Sequence, residues 1–227
     1  MVNESAYKSL IEDLKAKNII LIAVSKTKSV EEIKQLYDLG QRDFGENYVQ
    51  ELVEKEKQLP KDIRWHFIGH LQSNKVKQVA SFIHLIQSVD SLKLLKEINK
   101  QAEKNTRIID CLMQVHIAQE ETKFGLDEQE LHELIGELHE LNNVEVVGLM
   151  GIASLTEDMN KAREEFKYLN SLFEKINAQY SPPDRRAGML NVQCSTLSMG
   201  MTSDYRIAIE EGSNMVRIGS LIFGERN

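Results

Sequence analysis

A lysine stands at the end of an apolar run. Residues 21–29 read LIAVSKTKS, and Ile19 through Val24 are apolar before Ser25 and Lys26. A lysine at the end of an element ordinarily lays its stem on apolar surface and reaches for water. At the mouth of a cavity, desolvation or neighbouring cations lower its amine pKa. A neutral amine condenses with aldehydes. Two further stretches complement it. SMGMTSD, residues 198–204, is dense in hydroxyls and opens a helix at Thr202 or Ser203, followed by Asp204. RIGS, residues 217–220, ends an apolar run and opens a short final helix, so that the N–H groups of Gly219 and Ser220 can point at an anion. Glycine there lets backbone approach a ligand closely. Each loop alone is plain turn chemistry. Together with Lys26 they suit a ligand carrying both a phosphate and an aldehyde, and pyridoxal 5′-phosphate is such a ligand. Its ring nitrogen needs an acid or an arginine as partner, and Arg217 stands two residues before Gly219. The plain alternative for Arg217 is an ion pair at a rim. A cofactor-free aldolase acting on a phosphorylated sugar would use the same amine, but as a colourless protein.

These residues must be positioned by a scaffold. Short apolar or β-branched runs alternate with longer charged stretches of helical period, the pattern of βα units around a parallel sheet. Strands are expected at 19–25, 42–45, 64–68, 82–86, 108–116, 144–150, 190–194 and 215–218. Helices are expected at 4–17, 30–39, 47–58, 73–80, 91–104, 127–141, 157–179 and 203–211, with a last short one in SLIFGERN. Eight strands in 227 residues is the count and size of a TIM (β/α)8 barrel, here with an additional N-terminal helix. The rival, a doubly wound sheet, usually carries a Gly-rich turn after its first strand, and SKTKS has no glycine. In a barrel the site gathers at the C-terminal strand ends, with phosphate held after strands 7 and 8, which is where the two loops fall. One domain, residues 1–227, is expected, with the Pro182-Pro183 loop of 180–188 exposed and mobile.

Composition narrows the partners. The net charge of −7 argues against nucleic acid, and 6% aromatic residues leave few stacking platforms. Cys111 and Cys194 both lie in strand-like runs, which points to a reduced, cytoplasmic setting. The first 17 residues lack the apolar core of a signal peptide, and no run nears the roughly 20 residues of a membrane span. G-x-G-x-x-G, Walker A, G-x-S-x-G and C-x-x-C motifs are absent from the sequence. His66 and His70 share i, i+4 spacing, but they flank a strand and a glycine, so no metal site is expected of them. The pairs Glu120-Glu121 and Glu164-Glu165 read as solvated faces.

Six blocks carry a resemblance. IAVSKTKS, DFGENYVQE, WHFIGHLQSNK, GLMGIA, LSMGMTSDY and MVRIGSLIFGER occur in order, and the chain resembles the pyridoxal phosphate homeostasis proteins. These in turn resemble the N-terminal barrel of alanine racemase. The resemblance implies a barrel holding pyridoxal phosphate, with Lys26 as Schiff-base lysine and Asn47 and His70 near the ring. It implies Ser198, Met199, Thr202, Ser203, Gly219 and Ser220 around the phosphate, and Arg217 at the pyridine nitrogen. Where relatives often carry Ser then Asp in the phosphate loop, this chain has Thr202 then Ser203, so either can be the phosphate contact. The family implies a cofactor carrier that passes pyridoxal phosphate to apo-enzymes, without established catalysis. The chain stops at Asn227, short of the racemase second domain, from which a monomer is expected. The alternative is a monomeric amino-acid racemase. Such an enzyme needs an acid/base on each face of the carbanion; Lys26 serves one face, and no residue stands out for the other.

Overall fold

The computed structural model describes residues 2–118, 124–180 and 194–224. Eight parallel strands close into a barrel in sequence order: β1 (Ile20–Val24), β2 (Asp43–Glu46), β3 (Arg64–Phe67), β4 (Leu85–Val89), β5 (Ile109–Val115), β6 (Val144–Gly151), β7 (Thr196–Ser198) and β8 (Met215–Ile218). Around them run α1 (Glu4–Ala16), α2 (Val30–Asp38), α3 (Val49–Gln58), α4 (Leu92–Lys104), α5 (Glu128–Glu137), α6 (Met159–Tyr180), α7 (Tyr205–Glu210) and α8 (Ser220–Phe223). This is the expected (β/α)8 architecture. The added helix α1 is capped by Asn3, whose side chain accepts from Ala6 N at 3.1 Å. It turns Tyr7, Leu10 and Leu14 inward.

Strand alternation divides the core in two. Leu21, Ala23, Phe44, Trp65 and Phe67 face the helices in the large outer core. Ile22, Leu85, Leu112, Met150 and Met215 face one another inside the barrel. The chain leaves β1 at Val24 and reaches Lys26 at the barrel mouth two residues later.

Several expectations shift. The fourth strand is Leu85–Val89, three residues later than 82–86. Phe82 and Ile83 close turns back onto Val79 O at 3.1 and 2.9 Å, and pairing begins at His66↔Leu85. Gln87 and Ser88 are wholly buried, and their polarity hid the strand's second half. The element at 73–80 is a 3₁₀ helix, Ser73–Gln78. Of the expected strand 190–194, residues 190–193 lie outside the described residues, as does most of the Pro182-Pro183 loop; Cys194 precedes β7. Glu120 and Glu121 also lie outside them. Glu165 is not solvated: it is buried and accepts from the N and Oγ of Ser154, both at 2.6 Å. No helix among the described residues is long and apolar enough to cross a membrane.

Candidate functional site

Lys26 lies two residues past the end of β1 and lines a cavity of about 440 Å³ with Thr202, Ser203, Arg217, Gly219 and Ser220. The structure thus brings together six of the ten residues singled out in the sequence. Lys28 joins them at the rim, its Nζ donating to Phe223 O at 3.1 Å. Ser220 Oγ meets Thr202 Oγ1 at 3.2 Å, joining the two hydroxyl loops. Helix α8 opens at Ser220, and a helix's first turn leaves N–H groups without intrahelical acceptors.

Two devices shape the loop after β7. Gly200 has φ +94°, a turn that side chains resist, and its carbonyl accepts from Arg217 N at 3.0 Å. Asp204 reaches back to Met201 N at 2.5 Å, so its carboxylate braces the loop from inside. Helix α7 consequently opens at Tyr205, later than Thr202 or Ser203. Burial raises the Asp204 pKa, against the pull of Met201 N and Arg217.

Arg217 is buried beneath the cavity floor. It donates through Nη1 to Ser198 Oγ at 2.6 Å and through Nη2 to Gly151 O at 2.8 Å. Burial lowers its pKa to about 10, with Asp204 opposing, so it stays charged at neutral pH. Ser198 in turn donates to Gln87 Oε1 at 2.7 Å, and Gln87 Nε2 lies 3.2 Å from His66 Nδ1. A polar column therefore runs from Arg217 down the barrel interior.

The other residues stand apart from the Lys26 cavity. Ser198 lies in that column below it. Met199, 0% exposed, packs in the outer core. Asn47 and His70 line a neighbouring cavity of about 270 Å³ with Gln114, His116 and Phe124. There His70 stacks on Phe124, centroids 4.0 Å apart, and its Nδ1 lies 2.9 Å from Asp90 Oδ2. Gly69 lets the chain pass Asn47: a Cβ there would stand 2.4 Å from Asn47 O.

The sequence reading missed the brace that holds Lys26. Lys55 Nζ reaches Ser25 O at 2.7 Å, Glu46 Oε1 at 2.7 Å and Glu51 Oε1 at 2.6 Å. Ser25 Oγ donates to Glu46 Oε1, and Thr27 N to Glu51 Oε1, both at 2.6 Å. The residues on either side of Lys26 are thereby fixed. Thr27 needs this, because φ +65° is strained for a β-branched residue. A signal existed: on α3, Lys55 continues the buried positions Val49 and Leu52, the apolar stripe of a helix.

Glu46 is 0% exposed. Burial raises its carboxyl from the ordinary 4.5 to about 6, despite Lys55 and Ser25. The folded chain then keeps a proton that the unfolded chain has lost. Stability from this group is full below about pH 4.5 and is lost as pH rises to about 6, a change of about 2 kcal/mol. Urea unfolding across that window should show this slope in the natural chain and lose it in Glu46→Gln. An unchanged slope in the variant would place the titration elsewhere.

An amine just past the first strand, a guanidinium beneath it and hydroxyl loops after β7 and β8 make this a (β/α)8 barrel with cationic and hydroxyl donors gathered at its C-terminal mouth. The chain matches the alanine racemase N-terminal domain model over residues 6–227. It is 42% identical over 207 residues to the pyridoxal phosphate homeostasis protein of Aquifex aeolicus, covering 91% of this chain and 86% of that one. PipY of Synechococcus elongatus, solved without PLP, superposes with a TM-score of 0.87 at 33% identity over 97% of this chain and 99% of its own. PipY solved with PLP bound gives 0.82 at 32% identity over 94% and 98%. The chain belongs to the pyridoxal phosphate homeostasis protein family.

Proposed function

We propose that this chain binds pyridoxal phosphate at the C-terminal mouth of its barrel and serves pyridoxal phosphate homeostasis. The observation that carries the reading is the charge of the cavity. Lys26, Lys28 and Arg217 line it with the hydroxyls of Thr202, Ser203 and Ser220, and among the described residues no carboxylate lines it. That donor set fits an anion beside an amine-reactive group. The relatives' name and the PLP-bound PipY structure support the same ligand.

Pyridoxal phosphate supplies an aldehyde, which condenses with a lysine amine with release of water, and an anionic phosphate. Lys26 would hold the aldehyde end covalently. Thr202, Ser203, Ser220 and the first-turn N–H groups of α8 would hold the phosphate. Arg217, kept in place by Ser198 and Gly151, would face the ring nitrogen. An arginine there donates a hydrogen bond but keeps its proton, which suits retention of the cofactor over turnover. Covalent retention through an imine is reversible by water or another amine, so the chain could surrender its cargo to apo-enzymes. The buried free thiols Cys111 and Cys194 are compatible with a reducing, cytoplasmic setting.

Titration of the chain with pyridoxal phosphate, followed by visible absorption, tests the reading. The expected result is a band that saturates at one equivalent and forms more weakly in excess inorganic phosphate. A chain that never develops a saturable band would refute it.

A further inference from the structure

A second cluster sits at the opposite, N-terminal mouth of the barrel. Asp43 opens β2, His66 lies in β3 and His84 leads into β4, and each offers a ligand atom within 4.8 Å of the others. They border a cavity of about 370 Å³, which Arg64 and Asp110 also line. His66 Nε2 stands 3.0 Å from Asp43 Oδ1. Two ligands of a tetrahedral zinc ion at about 2.0–2.1 Å lie about 3.3 Å apart, so this pair is nearly at ligating separation.

The His66 ring is held in place. It is 1% exposed, and Gln87 Nε2 lies 3.2 Å from its Nδ1. An outer hydrogen-bond partner on the second ring nitrogen is usual for a ligating imidazole. The exposed His84 meets His66 edge-on, centroids 5.4 Å apart, with a ring nitrogen within 4.8 Å of the other two ligand atoms. Arg64 donates through Nε to Asp43 Oδ1 at 2.7 Å and through Nη2 to Oδ2. It is the group a metal must displace from Oδ1, and keeping Oδ2 makes it an outer partner of the carboxylate.

We propose that this mouth binds a divalent transition-metal ion of the zinc class through His66, His84 and Asp43, with a fourth position open to water from the cavity. Two imidazoles and one carboxylate suit zinc and its first-row neighbours, whereas calcium and magnesium prefer oxygen ligands. Coordination through Nε2 places the His66 ring proton on Nδ1, so the Gln87 amide must turn its oxygen towards His66. That same oxygen otherwise accepts from Ser198, the partner of Arg217. An ion at this end therefore rearranges the polar column that ends at Arg217. The proposal stands whatever occupies the other mouth.

Cobalt(II), a coloured stand-in for zinc, titrated into the full chain tests it. The expected result is visible d–d absorption that saturates at one equivalent and is reversed by zinc. His84→Ala, at an exposed side chain, should weaken the affinity at least tenfold while leaving the circular dichroism unchanged. Absence of these bands up to millimolar cobalt would overturn the proposal. So would bands of equal affinity in His84→Ala.

Discussion

Lys55→Met should destabilise the fold by about 3–5 kcal/mol, the usual cost of removing one partner from a buried ion pair. Lys55 is 5% exposed and Glu46 0%. Without the ammonium, the Glu46 carboxylate stays buried with Ser25 Oγ as its remaining partner, and Ser25 O and Glu51 lose their bonds to Nζ. Methionine fills similar space, so the loss is electrostatic rather than a cavity. Urea denaturation at pH 7 reads it directly. The double variant Lys55→Met/Glu46→Leu should recover much of the loss, because it removes both charges together. A loss below about 1 kcal/mol in the single variant would mean that the pair is hydrated like a surface ion pair.

Lys26→Ala should remove covalent cofactor retention and weaken binding by at least about 100-fold, the equivalent of about 3 kcal/mol. Its stability should stay within about 0.5 kcal/mol of the natural chain, as for substitutions outside the core. Lys26 is half-buried at the mouth, and the brace from Lys55 and Glu51 grips Ser25 and Thr27 through bonds that do not involve the Lys26 side chain. The phosphate donors of the β7 and β8 loops would remain, so weak reversible binding should persist. A variant that retained a covalent adduct would shift the anchor to Lys28, the other lysine lining the cavity.

The barrel was legible because the period of the chain changes at each element, and the apolar run Ile19–Val24 marks the first strand just before Lys26. Lys26, Arg217 and the two hydroxyl loops were legible because each ends a strand, where a barrel concentrates its chemistry. What escaped notice was polar and buried. Glu46 and Lys55 sit at positions that periodicity assigns to apolar residues, and Gln87 and Ser88 made the fourth strand look as if it ended at Ile86. Such groups are affordable only when a partner from a distant segment meets them. Glu46 waits for a lysine on the next helix, Gln87 for a serine 111 residues away, and His66 for Asp43 on the neighbouring strand. The i, i+4 spacing of His66 and His70 carried no metal expectation, and the two line different cavities. The histidine that meets His66 is His84, brought there by the turn into β4.

The most direct test of the central claim is borohydride reduction of the chain loaded with pyridoxal phosphate, followed by peptide mass analysis. The expected result is a single pyridoxyl mass on the peptide containing Lys26, with the adduct on that residue. An adduct on a lysine elsewhere, or none after reduction, would contradict it.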